Sequence, residues 1–200
     1  MTKFINIKKI AIFCGASIGF DKIYAEEARK LGEFLAKKQI GIIFGGGKFG
    51  MMGSIADAAL SQDGEVIGVI PDFLKLEEIE HTGITRMITS ENMSDRKMII
   101  SKMVDGYIAL PGGFGTLDEL MEALTLGQLH IEQKPIALLN TKGFFNPLIE
   151  QFDLMVREGF LKQENRDMVL IDENIEKLYQ KMLDYQAPEV SKLVNTVASK

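Results

Sequence analysis

The sequence predicts an α/β protein, a doubly wound parallel sheet in three layers with helices on both faces. Two observations point to it. Short runs of Ile, Val, Leu, Ala and Phe recur along the chain and alternate with longer amphipathic stretches. Such apolar runs suit strands covered on both faces, and strict alternation with helices makes their sheet parallel. Glycine clusters also follow several of these runs, where a strand would turn into the next helix.

In order, a strand is expected at residues 9–13, a helix at 21–38, a strand at 40–44 and a helix at 50–61. A strand at 65–70 is stopped by Pro71, and 72–83 reads as a loop. A strand at 84–89, a helix at 91–104 and a strand at 107–110 follow. The glycine run after Leu110 should open a helix at Gly115 or Thr116, continuing to about 127. The rest reads as a strand (135–139), a helix (145–158), a short strand (168–171) and a helix (173–184). No repeat or low-complexity linker interrupts this order, so a single nucleotide-binding domain is expected over 1–185, with a polar tail at 186–200.

Composition narrows the function. A 46% hydrophobic, 26% charged chain is globular, and a net charge of −5 argues against gripping nucleic acid backbone. A lone cysteine, Cys14, leaves no internal disulfide. No apolar run has the length of a membrane span, so no membrane partner and a cytoplasmic location are expected.

Ligands in such sheets sit at the carboxyl ends of the strands. Three glycine-bearing loops fall there: Cys14 to Ser17, Phe44 to Gly53, and Pro111 to Thr116. The last is the most informative. A strand, a glycine turn and a helix start would converge free N–H groups and the positive helix end on one point, suited to phosphate. This makes Gly112, Gly113, Phe114, Gly115 and Thr116 candidates for binding substrate, with Ser17, Gly46 and Gly47 from the other loops. The 45–53 run by itself serves equally well for tight strand-to-helix packing.

Helical periodicity adds charged candidates. Over 91–104, Met93, Ile99, Ile100, Met103 and Val104 form an apolar arc that also contains Arg96 and Lys97. One such cation can reach solvent along its stem, but two together favour a bound anion. In the next helix, Leu117, Leu120, Ala123, Leu124 and Leu126 mark the buried side, and Asp118, Glu122 and Thr125 point outward as solvated groups. Glu119 turns inward. Burial would raise its pKa while Arg96 and the helix end would lower it, a contest that spacing leaves open. His81 and His130 lack metal-ligand spacing, the methionines read as core filling, and Cys14 reads as a packed residue.

Taken together, Gly45-Gly46-Gly47 through Gly53, Met93-Ser94-Asp95-Arg96-Lys97 and Pro111-Gly112-Gly113-Phe114-Gly115-Thr116-Leu117-Asp118-Glu119 resemble the Lonely Guy (LOG) family of phosphoribohydrolases, long labelled lysine decarboxylases. The resemblance runs from Cys14 to about Phe160. It implies a Rossmann-like homodimer that hydrolyses the N-glycosidic bond of N6-modified adenosine 5′-monophosphates, releasing base and ribose 5-phosphate. It carries substrate binding to Glu78, Arg96, Lys97, Gly113, Phe114, Gly115, Thr116, Leu117, Asp118, Glu119 and Thr125, and catalysis to Arg96 and Glu119. The chain departs from the family stretch QLGxHxKP, placing His130 at its glycine and Glu132 at its histidine.

No metal or cofactor is expected. Breaking a ribosyl C–N bond builds positive charge on the sugar, which a carboxylate can stabilise while orienting water. Glu119 suits that role, and Arg96 either holds the phosphate or assists the leaving base. A molybdenum-cofactor carrier of the same fold is the alternative; it would need anion loops but no inward carboxylate. A pyridoxal-phosphate decarboxylase would need a Schiff-base lysine with a pyridine-nitrogen partner, which nothing in the chain marks.

Overall fold

A computed structural model describes residues 6–75 and 79–188. Its centre is a seven-stranded, all-parallel sheet: β1 (Lys9–Phe13), β2 (Gly41–Phe44), β3 (Val66–Pro71), β4 (Arg86–Ser90), β5 (Gly106–Ala109), β6 (Ile136–Leu139) and β7 (Val169–Asp172), in the spatial order β4-β3-β2-β1-β5-β6-β7. Strand order reverses between β1 and β5. Adjacent connections diverge there and leave a crevice beyond the strand ends.

Helices cover both faces. On one lie α1 (Lys22–Lys37), α2 (Gly50–Leu60) and, after β7, α8 (Ile175–Leu183), packed on Ile10, Ile12, Ile42 and Phe44. On the other lie α4 (Met93–Met103), α5 (Phe114–Gln128) and α6 (Asn146–Arg157), packed on Ala11, Phe13, Ile43 and Tyr107. Alternate residues of one strand thus feed opposite cores, which is why these strands read as unbroken apolar runs. Asp21 stands outside α1 as its cap, its carboxylate accepting from the Ile23 N–H at 3.0 Å.

The structure departs from expectation where local chemistry outweighs periodicity. Residues 72–83 are not all loop: Asp72–Lys75 forms a short helix, α3, and Gly47 makes an antiparallel bridge with Glu80. The short α7 (Gln163–Arg166) and the 3₁₀ turn Thr141–Gly143 carry no apolar period and were unpredicted. Helix α5 begins at Phe114, with Gly113 as its cap, one residue before the expected start. Met93 is exposed rather than part of the α4 arc, because it sits in the first turn, beyond the sheet's cover. His130 adopts φ 56°, the left-handed region that glycine enters without steric cost. This accounts for glycine at that place in the family stretch.

Candidate active site at the strand ends

The three glycine loops meet beyond the ends of β1, β2 and β5. Gly15 donates its N–H to the Pro111 carbonyl at 3.1 Å, and the Met51 N–H donates to the Gly15 carbonyl at 3.1 Å. Gly50 has φ 65°, and a Cβ there would overlap the Ala16 backbone. A Cβ on Gly112 would overlap the Thr116 hydroxyl. The close approach of the loops therefore depends on bare backbone.

Beyond that contact the surface opens. Gly113 and Gly115 have no neighbouring atom where a Cβ would stand, and Gly113 gives α5 no side-chain cap. The first N–H groups of α5, a helix of 15 residues, therefore lack a side-chain cap and carry the positive helix end behind them. Phe114 stands 93% exposed beside them. Ser17, Gly112 and Gly113 share an open crevice of about 530 Å³ with Met51, Tyr24 and Phe144. This crevice lies where the strand order reverses.

Arg96 and Glu119 meet beneath the loops. Arg96 Nη2 lies 3.4 Å from Glu119 Oε1, and each side chain is only 11% exposed. Arg96 Nε is buried without a hydrogen-bond partner among the described residues. Gly45 makes room for this guanidinium, since a Cβ there would overlap Arg96 Nη2. Sequence reading placed Gly45 in a glycine run without this purpose; only the neighbour across the fold reveals it.

Burial dominates the electrostatics of Glu119. It pushes the carboxyl from 4.5 up to about 7, against the Arg96 guanidinium, which pulls it down. The contest left open by spacing goes to burial, because one charge–charge contact does not replace the lost water. Cys14 is buried, which raises its thiol pKa strongly, with Glu119 adding to the effect. It is a protonated packing residue rather than a nucleophile.

Lys97 also turns inward, but the chain itself supplies its counterions. Its ammonium lies 3.1 Å from Asp118 Oδ2 and contacts Glu122. Asp118 is solvated as expected, though paired with α4, while Glu122, held by the same ammonium and half-buried, corrects the expectation that it is a solvated surface carboxylate. The bond to Glu122 raises the Lys97 pKa, opposing the neutral amine that a Schiff base requires.

The remaining candidates spread out. Gly46 and Gly47 are buried, with Gly46 accepting from the His81 N–H and Gly47 bridging to Glu80. Thr116 is buried and Leu117 half-buried against the core. Thr125 donates to the Met121 carbonyl and lines a separate concavity between α5 and α6, with Leu124, Phe152 and Met155. Glu78 lies outside the described residues.

Residues 52–182 match the family model described as "Possible lysine decarboxylase". The chain is 39% identical, over 90% of its length and 84% of the relative's, to the cytokinin riboside 5′-monophosphate phosphoribohydrolase LOG1 of Arabidopsis thaliana. It is 36% identical to the enzyme of that name from Rhodococcoides fascians, with 84% and 86% covered. Among solved structures, the molybdenum cofactor carrier protein of Chlamydomonas reinhardtii superposes with a TM-score of 0.66 at 19% identity, covering 90% of this chain and all of that one. That likeness shows the Rossmann-like fold.

Proposed function

The chain belongs to the LOG family, and on that premise we propose that it is a phosphoribohydrolase acting on nucleoside 5′-monophosphates, with N6-modified adenosine 5′-monophosphates as its substrate class. The observation that carries this reading is the buried Arg96–Glu119 pair beneath an open helix N-terminus. An inward carboxylate beside an anion site suits a reaction at the sugar beyond the phosphate, whereas holding an anion alone does not call for one.

In this reading the 5′-phosphate rests on the first N–H groups of α5, where Gly113 and Gly115 leave the approach clear. The glycosidic nitrogen leaves C1′ with the bonding electron pair, and positive charge grows on the ribose. The Glu119 carboxylate faces that charge and orients the water that attacks C1′. The partly unsatisfied Arg96 guanidinium turns its remaining donors toward the phosphate or the departing base. Ser17, Gly46, Gly47, Gly112, Thr116, Leu117, Asp118 and Lys97 shape or support the pocket, and Glu78 and Thr125 are carried from the family. We also propose a homodimer in the cytoplasm.

Base release tests the proposal. AMP should yield free adenine, while adenosine, which lacks the phosphate, should be a far poorer substrate. Equal turnover of the two would remove the phosphate assignment.

A further inference from the structure

Between α3 and β4 the chain passes back over the glycine loop that follows β2. Residues 79–81 lie antiparallel to that loop as a strap. The Lys48 N–H donates to the Ile79 carbonyl at 2.8 Å, the His81 N–H donates to the Gly46 carbonyl at 2.8 Å, and Gly47 bridges to Glu80. The sheet offers the loop no ladder here, since the pairing of β2 with β3 ends at Phe44 and Gly68. Among the described residues, the backbone bonds from Gly46 and Lys48 to other segments all run to this strap.

One side chain pins the strap. The His81 imidazole, only 10% exposed, accepts the Gly83 N–H at Nδ1 (3.1 Å), and its Nε2 lies 2.9 Å from Asp57 Oδ1. With Nδ1 occupied as an acceptor, the ring proton sits on Nε2 and is donated to the carboxylate. Asp57 stands on α2, the helix into which the glycine loop leads. The imidazole thus closes a ring of contacts from loop to helix, to Asp57, to His81, to the strap and back to the loop. A metal is not what brings the pair together: among the described residues no group of three potential metal ligands occurs.

The loop shapes the seat of Arg96. The guanidinium lies against Gly45, where a Cβ would overlap Nη2. Directed bonds hold it loosely. Nη2 is 3.4 Å from Glu119 Oε1, which is long for a charge-assisted hydrogen bond, Nη1 is 3.9 Å from the Met93 sulfur, and Nε has no partner among the described residues. A buried side chain bonded this weakly takes its orientation from the wall it packs against.

We propose that His81 is a positioning residue for Arg96: bridging Gly83 and Asp57, it holds the strap on the glycine loop and so fixes the guanidinium beside Glu119. The consequence for turnover rests on the function proposed above, in which Arg96 meets the phosphate or the departing base in the orientation that the loop imposes.

Three variants test the bridge. His81→Asn keeps an acceptor for the N–H two residues on but is too short to reach α2. Asp57→Ala cuts the same link from the other side; Asp57 is 71% exposed, so this variant stays informative if His81→Asn fails to fold. Asp57→Asn restores an acceptor without the charge. In protein labelled with ¹⁵N-arginine, the Arg96 Nε–H resonance is identified by its loss in Arg96→Lys. Its exchange with water should quicken by about tenfold or more in His81→Asn and Asp57→Ala, as for a locally opened group, and slow again in Asp57→Asn. Arg166, whose Nε–H donates to Asp153 at 2.7 Å, should be unchanged. An unmoved Arg96 signal in Asp57→Ala, or an equal change at Arg166, would overturn the proposal. In turnover of AMP, His81→Asn should cost about tenfold or more alone and almost nothing in the Arg96→Lys background. Equal losses in the two backgrounds would overturn the route through Arg96. An unaltered protein that releases no base from AMP would instead refute the proposed reaction, and the arginine signals would still decide the role of His81.

Discussion

Glu119 shows how one carboxylate can carry a cost to stability. Its pKa stands near 7 in the folded chain against 4.5 for an unhindered glutamate. The folded state therefore binds the proton more tightly, and its stabilising effect is complete below about pH 4.5. It is lost as pH rises through 7. Above that, ionised Glu119 costs about 3 kcal/mol, from the shift at 1.36 kcal/mol per unit. Glu119→Gln mimics the neutral acid, so its Tm should exceed that of the unaltered protein at pH 8 and match it at pH 4. Turnover of AMP should fall by about a hundredfold or more, as for removal of a group acting in the transition state. AMP binding should survive, as calorimetry would report. Asp118→Asn should change turnover little, since Lys97 keeps Glu122 as a partner. Equal losses in the two variants would assign the effect to the wrong carboxylate.

At the scale of the element, the loop after β2 and helix α4 form one device. Arg96 reaches inward from α4 and occupies the space that Gly45 leaves bare, while Asn92 caps the helix by accepting from the Asp95 N–H at 2.9 Å. Adding one methyl group at Gly45 should displace the guanidinium without altering any charge. Gly45→Ala should therefore lose activity about as severely as Arg96→Lys, which keeps the charge but lacks the planar fork. The circular dichroism spectrum should stay intact, because the strain falls on a side chain rather than on the sheet. Normal base release by Gly45→Ala would show that the guanidinium has slack. The periodicity of α4 foretold that Arg96 turns inward, but the glycine that receives it lies about fifty residues earlier in the chain, on another strand end.

For the whole molecule, the concavity between α5, α6 and α7 is lined by Met121, Leu124, Phe152, Met155 and Leu161. Phe152 is buried and the other four are half-buried, and such partly covered apolar groups at a concavity favour a second copy as cover. Light scattering should give twice the 22.3 kDa chain mass at micromolar concentration. Leu124→Arg should shift the population toward monomer by burying an unpaired charge at the contact. A monomer mass for the unaltered protein would remove the dimer from the proposal. Among the described residues no helix is long and apolar enough to cross a membrane.

The sheet and its helices were legible because their cause is local. Strand β1 was expected at the span it occupies, since an apolar run covered on both faces needs only its own side chains to be recognised. Both inward turns, of Arg96 and of Glu119, followed from a rotation of 100° per residue. What those side chains meet does not follow from rotation. The capture of Lys97 by Asp118 and Glu122, the fit of Arg96 over Gly45, and the joining of Glu132 to Tyr107 and Ser101 each unite separate elements. The protonation of Glu119 is of the same kind. Charges of both signs surround it, Asp118 and Glu122 from its own helix and Arg96 and Lys97 from α4, and only the depth to which packing removes it from water decides the balance.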